Sequence, residues 1–277
     1  VPGIGLGDLV SLLLEKDVQL GELIPIGYKK AVITNCSVSL GSGTIGNTNT
    51  QYNGGFVGIQ TGTDINNCEV TGLTSVVAKS YAGGFAGLER NDTLNGALSE
   101  LKVEVTPDIQ STQVNCQAVS TENGLTIEAV ENYAGGFNGC MADSTSRGCG
   151  VSTLTSVQAG KDYAGGFTGR ATIGFALALG NPGENTTLVG AVGDLLQGVV
   201  EGDKGTEVDS NILNIIGIES SKIHDFSVDG NDIQISAGGS YAGGVLGSGD
   251  GVVLRNSSEN QTDLKSVQAG ADYAGGI

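Results

Sequence analysis

Apolar residues in this chain alternate with small or polar ones, in short runs that stop at Gly, Asn or Asp. Leu73-Thr-Ser-Val-Val-Ala78 and Leu154-Thr-Ser-Val-Gln-Ala159 are two such runs. Successive side chains of a strand point to opposite faces, so the pattern predicts short, half-buried strands. Two stretches read differently. Asp8 to Glu15 and Asp194 to Val200 begin on Asp and then carry Leu or Val at close spacing, which predicts short helices.

The strand runs belong to a repeat. A heptapeptide occurs as Tyr52-Asn-Gly-Gly-Phe-Val-Gly58, Tyr81-Ala-Gly-Gly-Phe-Ala-Gly87, Tyr133-Ala-Gly-Gly-Phe-Asn-Gly139 and Tyr163-Ala-Gly-Gly-Phe-Thr-Gly169. It returns as Tyr241-Ala-Gly-Gly-Val-Leu-Gly247 and begins again at Tyr273-Ala-Gly-Gly-Ile277. The spacings between these tyrosines are 29, 52, 30, 78 and 32, so three lie near one period and two leave room for insertions. A second signature precedes the first: Asn35-Cys-Ser-Val38, Asn67-Cys-Glu-Val70, Asn115-Cys-Gln-Ala-Val119 and Gly148-Cys-Gly-Val151. A longer period is superimposed, because Gly7-Asp-Leu-Val10 resembles Gly193-Asp-Leu-Leu196 and Tyr52 matches Tyr241, offsets of 186 and 189. About one and a half copies of this super-repeat fit the chain, which is the expectation for a segment of a longer tandem array.

A unit of about 30 residues with three short strands cannot bury its own apolar face, whereas stacked units share a continuous core. The expected fold is therefore all-β: a parallel β-solenoid of roughly eight or nine coils. Residues 1–34 would start the first super-repeat and 35–171 would form coils. Residues 172–223 would be an insertion with a helix that starts the second super-repeat, and 224–277 would resume the coils. The structural repeat positions are Tyr52, Phe56, Tyr81, Phe85, Tyr133, Phe137, Tyr163, Phe167, Tyr241 and Tyr273. Strand alternation places each Tyr and Phe of a heptapeptide on one face, the phenylalanines in an interior ladder. It turns the variable sixth position, Val57, Ala86, Asn138, Thr168 and Leu246, to solvent. The alternative for the tyrosines is an exposed aromatic strip that grips sugar rings, although the chain lacks Trp, a favoured anchor for such contacts.

The Gly-Phe-x-Gly core of the heptapeptide, with Gly244-Val-Leu-Gly247, resembles the Gly-Leu-hydrophobic-Gly repeat of the GLUG motif found in large bacterial surface proteins. The likeness runs from about residue 35 to 277 with gaps at the insertions, and Phe usually stands where that family has Leu. It implies an extracellular, cell-surface, adhesin-like protein whose repeats form right-handed parallel β-helices, here with short helical caps or insertions.

Composition narrows the function classes. Of 277 residues 47 are Gly and 4 are Pro, far too little Pro for a collagen-like chain. Hydrophobic residues make up 39% and charged residues 16%, a poor fit for a disordered chain. The net charge of −17 disfavours nucleic acid as a partner, since phosphate binding needs clustered Lys and Arg. No run approaches the roughly 18 to 20 apolar residues of a membrane-spanning helix.

Candidate chemistry is sparse. Four of the five cysteines, Cys36, Cys68, Cys116 and Cys149, occupy the second signature, and Cys140 lies apart; no Cys-x-x-Cys occurs. In the second super-repeat Phe226 and Ser257 stand where Cys36 and Cys68 stand in the first, so the site reads as an inward apolar position. Free, stacked thiols are the expectation. A Cys36–Cys68 disulfide is the alternative, because like positions of adjacent coils would lie at bonding distance. His224, the one histidine, has no nucleophile motif beside it and reads as structural. Calcium is the one cofactor considered: Asp229, Asp232, Asp203 and Asp209 offer oxygen ligands in turns, against the reading of solvated turn carboxylates. Sequons at Asn35, Asn91, Asn185, Asn256 and Asn260 matter only in a glycosylating host.

The expected function is a non-catalytic structural or adhesive stalk segment of a long extracellular repeat protein. Its partners would be other repeats of the same chain, cell-surface or host glycans and proteins, or further copies of itself. The competing expectations are a carbohydrate-active β-helix, which would need grouped acids with an Arg in a cleft, and a self-assembling filament subunit.

Overall fold

The computed structural model describes residues 30–91, 110–120, 124–172, 220–257 and 262–277. Among these residues every regular element is a strand and there is no helix. The segments expected to be helical, Asp8 to Glu15 and Asp194 to Val200, lie outside the described residues. So do Asp203 and Asp209.

The strands form four parallel sheets, none closed into a barrel. The first sheet is built from Ala31–Thr34, Thr63–Asn66, Ser111–Val114, Ser144–Arg147, Ser221–His224 and Val252–Arg255, in that order. The second and longest includes Ser37–Gly46, Glu69–Ala78, Leu125–Ala129, Leu154–Ala159, Ile233–Ala237 and Leu264–Ala269. The third consists of two-residue strands, from Asn53–Gly54 through Ala82–Gly83, Ala134–Gly135, Ala164–Gly165 and Ala242–Gly243 to Ala274–Gly275. The fourth joins Val57–Thr61, Ala86–Arg90, Asn138–Ala142, Thr168–Thr172 and Leu246–Gly249. The first three sheets take strands from all six repeat units and the fourth from five, and units adjacent in sequence are adjacent in the sheet. The molecule is thus a pile of six layers, like pairing with like: Ala134 bonds across to Ala82 and Ala164, and Ile127 to Val76 and Val157.

Six layers, rather than eight or nine, account for the described chain. The two long tyrosine spacings do not add layers. Ala86–Arg90 and Asn138–Ala142 are direct neighbours in the fourth sheet, although the chain between their units is longer by an insertion. The same holds for Thr168–Thr172 and Leu246–Gly249.

Period-2 alternation builds the core. In Leu125–Ala129 the residues Leu125, Ile127 and Ala129 are buried while Thr126 and Glu128 are exposed. Repeated in each layer, this gives columns such as Leu73, Leu125, Leu154 and Ile233, all fully buried. Each leucine or isoleucine so buried contributes about 1.5–3 kcal/mol.

The heptapeptide is not one strand, which corrects two expectations. Its Ala-Gly pair forms a strand of the third sheet; the chain then bends at the next Gly and Phe and enters the fourth. Tyr and Phe therefore face different environments. Phe85, Phe137 and Phe167 join the main core, whereas Tyr81 and Tyr133 belong to a separate cluster with Leu88 and Cys140. The bend also shifts the face of the sixth position. Ala86, Asn138, Thr168 and Leu246 are buried and Val57 is half-buried, none of them turned fully to solvent.

Two glycines make the bend obligatory. A Cβ on Gly83 would collide with the carbonyl of Ala86, and one on Gly84 with the carbonyl of Gly136 in the next layer. Both obstacles are backbone, so no side-chain motion relieves them.

Candidate functional site

The repeat places three columns of side chains side by side. In the first, the rings of Phe56, Phe85, Phe137 and Phe167 stack with centroids 4.8, 4.9 and 5.0 Å apart. That spacing follows from the separation of neighbouring strands, about 4.8 Å. The layer after Phe167 carries Val245 instead, and Phe226 tilts against Phe167 at 5.5 Å and 55°. Phe226 stands in the cysteine column. Where the phenylalanine column narrows to Val the facing column widens to Phe, and the core volume is kept. This explains why the position takes cysteine elsewhere, as a small apolar group opposite a large ring.

The second column is Tyr52, Tyr81, Tyr133, Tyr163, Tyr241 and Tyr273, stacked at 4.6 to 5.0 Å. Every one of these tyrosines has φ between 55° and 72°. Left-handed backbone costs a non-glycine residue roughly 1–2 kcal/mol, and each stacked pair returns about 0.5–1.5 kcal/mol beyond its buried area. The conformation swings the ring onto the outer side of the fourth sheet, over Leu88 and Cys140. The Arg170 guanidinium lies 5.0 Å from the Tyr163 ring. Burial pushes the Tyr81 and Tyr133 hydroxyls well above the usual phenol range and raises that of Tyr163. Stacking uses the ring faces a sugar would need; Tyr81 and Tyr133 are 6% and 3% exposed, and only Tyr273 is open, at 68%.

The third column is Cys36, Cys68, Cys116 and Cys149, all free thiols, with Cys36 exposed and the others buried. It continues into Phe226 and Ser257. Just before it, Asn35, Asn67, Asn115, Gly148 and Asp225 all have φ of 51–63°, the left-handed turn that carries the chain from the first sheet to the second. Asn and Asp tolerate this backbone and Gly is free to adopt it, which accounts for the residue choice. The Asn115 Nδ2 donates to Asn67 Oδ1 at 3.2 Å, linking two of these turns.

A fourth feature was invisible in the sequence. Between the first and fourth sheets lies a wholly buried polar group: Gln60, Glu89, Gln113, Asn138 and Ser146. Asn138 Nδ2 donates to Glu89 Oε2 at 3.0 Å and to Gln113 Oε1 at 2.9 Å. Gln113 Nε2 donates to Gln60 Oε1 at 2.9 Å, and Ser146 Oγ to Gln113 Oε1 at 2.9 Å. Glu89 Oε1 and Ser144 Oγ are buried with no hydrogen-bond partner. Burial pushes the Glu89 carboxyl up to about 8, against the Ser146 Oγ that donates to Glu89 Oε2 at 3.3 Å and favours the ionised form.

The remaining sequence candidates are dispersed. Asp229 and Asp232 are both exposed. Among the described residues no group of three or more His, Cys, Asp or Glu could hold a metal ion. His224 lies in the first sheet between Arg147 and Arg255, which flank it in register. Arg147 and Arg255 are exposed, so two guanidinium groups flank His224 on an acidic molecule. Asn91, one of the sequon residues, is buried and its Nδ2 donates to Asp143 at 2.9 Å. No helix among the described residues is long and apolar enough to cross a membrane.

No family model, no curated protein and no solved structure matches this chain.

Proposed function

We propose that the chain is a non-catalytic stalk segment of a long extracellular, cell-surface repeat protein, similar to GLUG-type adhesins, with its layers wound as the coils of a right-handed parallel β-helix. The observation that carries this reading is the match of like residue to like residue up the pile, unbroken through all six tyrosines and held over four layers by the phenylalanines. Side chains committed to stacking serve length and stiffness rather than turnover. Additive stacking lets such a protein lengthen by duplication, each new coil using the face left by the last. Net charge of −17 keeps neighbouring rods apart. The absence of a group of three or more His, Cys, Asp or Glu among the described residues favours the stalk over a carbohydrate-active enzyme.

Small-angle scattering on chains carrying one, two and three super-repeats tests it. Tyr52 and Tyr241 are equivalent and four layers apart, so each added super-repeat lengthens the rod by about 19 Å at about 4.8 Å per layer. A maximum dimension that fails to rise by a constant step overturns the stalk. Turnover on a panel of polysaccharides, abolished by an acidic substitution, overturns its non-catalytic character. Surface labelling of intact cells with an antibody to this segment tests the location.

A further inference from the structure

The stalk reading leaves one residue of the cysteine column unexplained. Cys116 and Cys149 are sealed in the core, 0% and 1% exposed, where a small apolar group facing the phenylalanines is all that packing requires. Cys36 is exposed and serves no such purpose. Its nearest thiol is in the next layer. The Asn35 N–H donates to the Asn66 carbonyl at 3.0 Å and the Glu69 N–H to the Cys36 carbonyl at 3.0 Å, which sets Cys36 and Cys68 face to face across the ladder. Neighbouring parallel strands lie about 4.8 Å apart, inside the roughly 4.4–6.8 Å between Cα atoms that a disulfide spans. The Cys36 amide N–H already points at Cys68 Sγ, 3.4 Å away. An open depression of ≈ 370 Å³ lies over the pair, with exposed Cys36 and buried Cys68 both in its lining beside Asn67, Glu69 and Gln117.

We propose that Cys36 and Cys68 form a redox clip between the first two layers, reduced in this structure and closed by exchange with a small-molecule disulfide. Cys36 is the attacking thiol and Cys68 the resolving one. The Cys36 thiolate attacks one sulfur of the small disulfide; a bond forms to Cys36 and the second sulfur leaves as a thiolate that takes up a proton. Cys68 then gives its proton to water and attacks the Cys36 sulfur, expelling the remaining small thiol. Two protein thiols are oxidised and one small disulfide is reduced to two thiols. The order follows from access, since Cys36 is exposed and Cys68 is buried, and burial also raises the Cys68 thiol above its ordinary range.

The test treats the reduced protein with oxidised glutathione and follows it by intact mass and by peptide mapping after alkylation. The expected product has lost two hydrogens and yields a linked Cys36–Cys68 peptide, while Cys116, Cys140 and Cys149 stay alkylatable after unfolding. Cys68→Ser stops at a single glutathione adduct on Cys36, and Cys36→Ser does not react. Cys36 is exposed, so this second variant keeps the wild-type melting temperature and its silence reports chemistry. The clipped protein melts several degrees higher than the reduced one, and dithiothreitol reverses the shift. A stable adduct on wild-type Cys36 without closure overturns the proposal, as does a Cys68–Cys116 link or full retention of both thiols.

Discussion

The two walls of the interior are built on different rules. The wall formed by the long sheet is apolar through every layer: Val70, Ala118, Val151 and Val228 make one column, Val76, Ile127, Val157 and Ile235 another. The wall between the first and fourth sheets is apolar at Ile65, Ala171 and Ile223 and polar in between, at Glu89, Gln113, Asn138 and Ser146. The apolar wall repeats one residue type at one position, and its layers are interchangeable. The polar group takes different residues from successive layers, each supplying what its neighbour lacks, so it holds those layers in one particular order. Stability lives mostly in the first wall and specificity in the second.

The largest predicted effect breaks the frame common to both walls. Gly135→Ala sets a Cβ against the Asn138 carbonyl. The expected outcome is a loss above about 5 kcal/mol, beyond the usual range for single substitutions, read as failure to recover a cooperative melt. Next is Phe137→Ala on the apolar side, expected to cost about 3–5 kcal/mol by urea unfolding. An unchanged midpoint would mean that the ring column carries no stability.

On the polar side the signature is pH. Glu89 holds its proton more tightly folded than unfolded, from a usual value of 4.5 up to about 8. A raised carboxyl contributes stability that is complete below pH 4.5 and is lost as pH climbs through 8. From pH 4 to pH 7 that one group removes about 3 kcal/mol. Glu89→Gln flattens this part of the profile and is more stable than wild type at pH 8. A wild-type profile no steeper than the variant's would show that the carboxyl is ionised in the fold. The smallest effect belongs to the turn outside both walls. Asn115→Ala is expected to cost about 1–2 kcal/mol, the left-handed penalty of a residue with φ of 53°, while Asn115→Gly stays within about 0.5 kcal/mol of wild type, as Gly148 occupies the same position one layer on.

The apolar wall was legible in the sequence because its information is local. Alternation marks Leu125, Ile127 and Ala129 as inward without knowledge of their neighbours, and the Tyr and Phe periods announce what stacks on what. Two local readings failed for a physical reason. Alternation assumes an unbroken strand, and the bend at Gly84 and Phe85 resets the phase, which sends Ala86 and Asn138 inward and parts the tyrosines from the phenylalanines. The left-handed tyrosines were illegible, since a bulky residue rarely adopts that backbone and nothing but the stack sustains it. The polar group was hidden by distance along the chain: Asn138 and Glu89 are 49 residues apart, and Gln113 and Gln60 are 53 apart. No window short enough to show a period is long enough to hold the pair.

In every layer the passage from the fourth sheet to the first crosses the same corner. Thr61 reaches Thr63 and Ala142 reaches Ser144 through one residue each, Gly62 and Asp143. At that same corner Arg90 is followed by Ser111, and Thr172 by Ser221, after 20 and 48 intervening residues. Chain length at this vertex is therefore decoupled from the architecture on either side of it. Whole modules can be spliced in there, by gene rearrangement or by an engineer, and displayed in a vertical line along the shaft at intervals set by which layers carry them.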